Sequence, residues 1–100
     1  MLKITIIDTP AEQKLVLEGK LIEPDISELE SAWQIARGAR GTRRCIVDLR
    51  NATFMDQSAE RILLDMQRDG AQFVACGVFT KYRLGWLGIR CKESDSKARG

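Results

Sequence analysis

Residues 46–59 hold the side chains best suited to chemistry. Two carboxylates, Asp48 and Asp56, stand eight positions apart, and a hydroxyl follows at Ser58. Paired carboxylates are suited to acid–base catalysis. A serine in the first turn of a helix is suited to phosphorylation, because the free backbone N–H groups there tolerate an anion. No histidine or phosphate-binding glycine loop accompanies them. We therefore interpret Asp56 as a helix cap and Asp48 as a strand-end residue, with no enzymatic activity; a plain polar Ser58 is the alternative to a modified one.

Metal and redox chemistry are also disfavoured. The lack of histidine removes every zinc site that needs one. The three cysteines, Cys45, Cys76 and Cys91, are far apart and form no Cys-x-x-Cys motif, so they are interpreted as reduced packing residues. We expect neither a metal nor a cofactor.

Length and composition indicate one globular domain. The chain has 100 residues, 44% hydrophobic and 30% charged. No apolar run approaches the roughly 20 residues of a membrane span, and the N-terminus lacks the features of a signal peptide, so we expect a cytoplasmic protein.

A group of arginines in the middle of the chain raises the question of nucleic acid. Arg37, Arg40, Arg43 and Arg44 are close together in a chain whose net charge is only +2. No aromatic residue lies between Arg37 and Leu49, whereas nucleic-acid sites often interleave aromatics with basic residues. We predict a solvated loop or a contact for an acidic protein partner, and no nucleic-acid binding.

Hydrophobic periodicity predicts alternating strands and helices. Asp25, with Glu28 three residues on, and Asp56 mark two helix starts. Gly38 and Gly41 are expected to end the first helix around the arginine-rich loop. The predicted strands are residues 2–7, 14–18, 45–49 and 72–77, and residues 50–55 are predicted to form a loop.

The predicted element order is β-β-α-β-α-β plus a short C-terminal helix over residues 80–87. Each β-α-β unit implies a parallel strand pair with a right-handed crossover, and the first short link implies an antiparallel hairpin. We predict a single α/β domain over residues 1–92, with a mixed sheet of four or five strands, and a disordered tail over residues 93–100. Leu84, Trp86 and Ile89 are expected to cover the core within the chain, with an interface to another chain as the alternative. The residues expected in the core are Cys45, Val47, Leu49, Leu63 and Val74.

Three segments together resemble a known family. They are residues 16–21 (Val-Leu-Glu-Gly-Lys-Leu), residues 46–49 followed by 54–58 (Phe-Met-Asp-Gln-Ser), and Gly70 followed by residues 73–77 (Phe-Val-Ala-Cys-Gly). Their order and spacing resemble the STAS domain, shared by bacterial anti-sigma factor antagonists and the cytoplasmic part of sulfate transporters. The resemblance spans residues 2–77 and implies the STAS fold.

The resemblance also implies a regulatory site. In the antagonist branch the loop reads Asp-Ser-Ser-Gly, and the partner kinase phosphorylates the second serine. Ser58 stands at that position, whereas Gln57 replaces the first serine and Ala59 the glycine. Ser58 is therefore the phosphorylation candidate. The partner-binding candidates are Asp56, Gln57, Glu60 and Arg61, with Gln57, Glu60, Arg61 and Arg68 expected on the solvent face.

The sequence favours a non-enzymatic regulatory module that resembles anti-sigma factor antagonists. Its expected partner is a protein, either an anti-sigma factor kinase or a transporter subunit, contacted through residues 50–58 and the second helix. One alternative is a STAS scaffolding subunit of a transport or signalling assembly that works without phosphorylation. Another is a small ligand-binding or catalytic domain. The sequence is also compatible with a homodimer.

Overall fold

Five strands and two helices make up the described part of the chain. The structure is a computed structural model that describes residues 2–75, 82, 84–86, 88–89 and 91–93. The elements are β1 (Lys3–Asp8), β2 (Glu12–Leu21), α1 (Asp25–Arg40), β3 (Arg44–Met55), α2 (Gln57–Arg68), β4 (Gln72–Ala75) and β5 (Cys91–Glu93). The strands form one sheet in the order β1-β2-β3-β4-β5, in which β1 is antiparallel to β2 and the other neighbouring pairs are parallel. The predicted α/β class and strand pairing are confirmed.

Both helices pack on the same face of the sheet. Each parallel connection moves one strand further in the same direction, and right-handed crossovers in one direction place their helices on one side. Alternate strand residues point to that side and are buried, among them Leu15, Leu17, Val47 and Leu49. The helices contribute buried residues at helical spacing to the same core: Ile26, Leu29, Trp33 and Ala36 from α1, and Ala59, Ile62, Leu63 and Met66 from α2.

The predicted loop over residues 50–55 was wrong, because β3 continues to Met55. Two register shifts against β2 interrupt the pairing in this stretch. A bulge inserts an extra residue, so the buried positions Ala52 and Met55 are three apart instead of two. The alternation that identifies a strand in sequence is lost there, although the strand continues.

Two further expectations are corrected by the structure. Of the two glycines expected to end the first helix, Gly38 lies within it, whereas Gly41 follows its last residue Arg40 with a φ of 66°, in the left-handed region that glycine favours. Val74 is only half-buried, since Phe73 occupies the inward position beside Val47. The apolar run from Phe73 onward shows no alternation, so the sequence did not show which of its residues faces the core.

The predicted C-terminal helix is described in part. Tyr82 and residues 84–86 have helical backbone, while the other positions of residues 80–87 lie outside the described residues, as do Cys76 and Gly77 of the fourth predicted strand. Leu84 and Ile89 are buried in the core, but Trp86 is 78% exposed and does not cover it as expected. Glu93, placed at the start of the predicted tail, is the last residue of β5, and residues 94–100 lie outside the description.

Candidate functional site

Asp56 joins the start of α2 to the segment that leads into α1. Its Oδ1 accepts a hydrogen bond from the Ala59 backbone N–H at 2.9 Å, which confirms the predicted helix cap. Its Oδ2 accepts one from the Glu23 backbone N–H at 3.2 Å, and its own N–H donates to the Leu21 carbonyl at 3.1 Å. Both carboxylate oxygens are therefore used within the chain. Asp56 thus positions the start of α2 through contacts within the chain.

Ser58 is the second residue of α2 and is half-buried. Among the described residues its hydroxyl has no hydrogen-bond partner, and Ser58 lines a groove between the two helices. The groove holds about 100 Å³ near Ser58 and shares lining residues with a larger one of about 280 Å³ that extends towards Trp33. Ser58 is therefore not enclosed in the core but borders an open groove.

The groove beside Ser58 has an apolar floor and a mainly acidic rim. Ile26 and Ile62 form the floor. Carboxylates of Glu23, Glu30 and Asp65 line it, against the single guanidinium of Arg61. The helical spacing of α2 predicts that Arg61 and Asp65 lie on the same side of the helix as Ser58. Glu23 and Glu30, however, belong to a different part of the chain. No pattern in the sequence places them beside Ser58, because that contact depends on how α1 packs against α2.

The other predicted partner-binding residues share the first turns of α2 but differ in exposure. Gln57 and Arg61 are exposed, as is Arg68 two turns further on, whereas Glu60 is half-buried. Three of the four residues expected on the solvent face are thus exposed. The exposed surface that flanks Ser58 consists of Gln57 and Arg61, with Glu60 at its edge.

The arginine cluster does not form the free basic loop that the sequence predicted. Arg37 and Arg40 lie in the last turn of α1, and both guanidinium groups pair with Asp69, at 3.0 and 2.9 Å. Arg43 pairs with Asp8 at 3.0 Å and also donates to the carbonyls of Ala39, Arg40 and Thr9. Three of the four arginines are therefore engaged in ion pairs with two carboxylates, and these contacts hold the C-terminal end of α1 in place.

The Arg40 side chain also reaches the core. Its guanidinium lies 5.5 Å from the centre of the Trp33 ring and contacts the buried thiol of Cys45. Burial raises the pKa of that thiol, and the neighbouring Arg40 offsets the effect only in part. Cys45 is therefore a protonated packing residue at neutral pH, and not a reactive thiolate.

Asp48 and Asp56 do not converge into a catalytic pair. Asp48 pairs in register with Val16 and Val74, on the sheet face opposite the helices, whereas Asp56 caps α2. The Asp48 carboxylate is 2% exposed and is held by the Arg50 backbone N–H at 3.0 Å and the Arg50 guanidinium at 2.7 Å. The predicted bond from Asp48 to the following backbone is present, although the strand does not end there.

Neither a metal cluster nor a membrane helix is found among the described residues. No group of three or more acidic, histidine or cysteine side chains in this part of the chain is arranged to hold a metal ion. In the same part, neither helix has the length and apolar character needed to cross a bilayer.

Comparison with known proteins identifies the fold. No family model matches the sequence, and no curated protein matches it. A solved anti-sigma factor antagonist from Mycobacterium paratuberculosis superposes with a TM-score of 0.76 at 17% identity, covering 88% of this chain and 79% of that one. A STAS-domain antisigma-factor antagonist from Rhodobacter sphaeroides superposes with a TM-score of 0.56 at 20% identity, covering 78% of this chain and 88% of that one.

A third solved structure extends the same likeness over nearly the whole chain. It is an uncharacterized protein of the DUF3478 family from Shewanella loihica with a SpoIIAA-like fold, and it gives a TM-score of 0.60 at 14% identity, covering 96% of this chain and 87% of that one. The chain therefore has the SpoIIAA-like fold of STAS domains. At these identities the likeness defines the fold, and function has to be argued from the site.

Proposed function

We propose that this chain is a cytoplasmic, non-enzymatic regulatory module that binds a protein partner through the start of α2, in the manner of an anti-sigma factor antagonist. Gln57, Glu60 and Arg61 contact the partner, and Asp56 holds their turn in position. The observation that carries the proposal is the setting of Ser58: a serine that borders a groove in the first turn of a capped helix, within a fold shared with anti-sigma factor antagonists.

Phosphorylation of Ser58 is the proposed switch. A phosphoserine would add a charge of about −1.5 to −2 to a groove already lined by Glu23, Glu30 and Asp65. In an interface that excludes water this charge weakens binding, because desolvating an unneutralised anion is costly. The positive end of the α2 dipole favours the same charge, so the fold is expected to survive the modification.

The proposal is tested by titrating the protein with a serine-kinase anti-sigma factor from the same organism. We expect Ser58→Asp and Arg61→Glu each to weaken binding by more than about tenfold with an unchanged melting temperature, and Ser58→Ala to bind as the wild type does. Arg44→Glu is the matched control, since Arg44 is also exposed but is the first residue of β3, whose other end leads into α2.

The pattern of results separates the two regulatory hypotheses. If Arg61→Glu weakens binding and Ser58→Asp does not, the surface is correct and the chain is a scaffolding module without a phosphorylation switch. If neither variant changes the affinity for a partner that binds the wild type, the start of α2 is excluded as the binding surface.

A further inference from the structure

Strand β1 forms one edge of the sheet and itself lacks the bulges, prolines and central charges that usually protect an edge strand. Its register with β2 is unbroken from Lys3 opposite Glu18 to Asp8 opposite Gln13, so it contains no bulge. It contains no proline, and its charges stand only at its two ends, with residues 4–7 uncharged. Monomeric proteins usually interrupt such an edge with bulges, prolines or central charges, because an open edge pairs with other strands.

Two exposed isoleucines show what kind of element would cover this edge. Ile6 is 40% exposed and Ile7 is 46% exposed, although both are large and apolar. As neighbours in a strand, they point to opposite faces of the sheet. A helix docked on one face would cover only one of them, whereas a strand added at the edge would flank both.

The hairpin turn shows which backbone groups of β1 point outward. The Thr9 backbone N–H donates to the Glu12 carbonyl at 2.9 Å, so these two residues form the hydrogen-bonded pair that closes the turn. Hydrogen-bonded pairs alternate along an antiparallel ladder. Ile7, Thr5 and Lys3 therefore direct their N–H and C=O groups to β2, and those of Ile4, Ile6 and Asp8 point away from the sheet.

We propose that β1 pairs with β1 of a second copy of this chain, in antiparallel orientation, to form a continuous ten-stranded sheet. Ile4 lies opposite Ile6 of the second copy, and Thr5 lies opposite its counterpart on the two-fold axis. This register pairs the residues whose backbone groups point outward and keeps the helices of both copies on the same side. It also brings the end of the strand that carries Lys3 beside the end that carries Asp8, whereas a parallel pairing would join like charges.

The oligomeric state is the first test, and it does not depend on the proposed regulatory function. Light scattering after size exclusion, at loading concentrations up to about 1 mM, should show a dimer of the wild-type protein. We expect Ile6→Lys to weaken dimerisation at least about tenfold, since it places two charges at the pairing edge. Ile35→Lys is the control, because Ile35 is 74% exposed and belongs to α1 instead of the edge strand. A wild-type monomer over the whole range, or a dimer that Ile6→Lys leaves unchanged, overturns the proposal.

A disulfide cross-link tests the register. On the two-fold axis the two Thr5 Cα atoms would form a non-hydrogen-bonded pair about 4.5 Å apart, within reach of a disulfide. We expect Thr5→Cys to form a covalent dimer through position 5 under mild oxidation, identified by peptide mass spectrometry. Lys3→Cys, whose two copies would be offset by about 13 Å along the strands, should not cross-link through position 3. Equal cross-linking of both variants, or none of Thr5→Cys, contradicts this register.

Discussion

At the scale of single residues, the best-defined polar group is the Asp48 carboxylate. Its side chain is buried on the sheet face opposite the helices, with Arg50 bound at 2.7 Å and the Lys14 ammonium at 3.7 Å. Burial alone raises the pKa of Asp48, but the hydrogen bonds from the Arg50 side chain and backbone outweigh it and hold the pKa below its ordinary value. Asp48 is therefore ionised in the folded protein and contributes to stability as an anion.

We predict that Asp48→Asn lowers the free energy of unfolding at neutral pH by about 1–3 kcal/mol, as expected when charged hydrogen bonds are lost from a buried group. Because the folded pKa lies below the unfolded value of about 3.9, this contribution is complete above that pH and is lost as the pH falls through the folded pKa. Urea titrations of both proteins from pH 7 downward should therefore converge in acid.

A control variant shows whether burial is responsible for that effect. Asp65→Asn removes an exposed carboxylate whose ion pair within the described residues is with Arg68, three residues on, and it should change the stability by less than about 0.5 kcal/mol. If the difference in unfolding free energy between wild type and Asp48→Asn stays constant into the acid range, the loss comes from altered packing and not from the missing charge.

At the scale of elements, the position of α2 depends on Asp56. The carboxylate caps α2 through Ala59 and also binds the Glu23 backbone N–H, which precedes α1. One side chain thus ties together the N-terminal ends of the two helices, and the groove beside Ser58 lies between those ends. This contact therefore fixes how the two helix starts that border the candidate site lie beside each other.

We predict that Asp56→Ala lowers the free energy of unfolding by about 2–3 kcal/mol, since about 1 kcal/mol is typical for an N-cap and a second hydrogen bond is lost with it. Asp56→Asn keeps one carbonyl oxygen and should lose about half as much. Chemical denaturation of both variants measures these values. If Asp56→Asn is destabilised as much as Asp56→Ala, the single oxygen that asparagine retains does not stabilise this junction, which contradicts the prediction.

At the scale of the whole molecule, the helices and the C-terminal connection share one core. Leu84 and Ile89 lie between β4 and β5 in the chain and are buried with the residues of α1 and α2. The step from β4 to β5 continues in the same direction as the two earlier crossovers, so a right-handed connection brings this segment to the same face. Among the described residues, no helix packs on the opposite face.

We predict that Leu84→Ala costs about 2–5 kcal/mol of unfolding free energy, as much as Leu63→Ala at the centre of α2, because both side chains are completely buried. Trp86→Ala, two residues from Leu84 but exposed, should cost less than about 0.5 kcal/mol. Thermal and urea unfolding of the three variants tests this. A small loss for Leu84→Ala would show that the segment is peripheral to the core.

The order of the elements and the cap of α2 were predictable from the sequence because they depend on near neighbours. Apolar alternation around Leu15 and Leu17, helical spacing around Leu63 and the aspartate at position 56 are local patterns, and local backbone preferences follow them. The handedness of crossovers then leaves little choice for the order of parallel strands. The resemblance to STAS domains rested on the same segments, and comparison with solved structures confirms the fold.

The structure decided what depends on contacts between distant parts of the chain. β3 continues, with bulges, through the residues that were predicted to form a loop. The register of β4 places Phe73, and not Val74, on the face of the sheet that packs against the core. Arg40 and Arg43 form ion pairs with Asp69 and Asp8, which are about 30 residues away in the sequence. The sequence alone had indicated free positive charge at these positions. Such pairings arise only when packing brings remote side chains together, and for that reason the groove beside Ser58 and the open edge of β1 are properties of the tertiary structure.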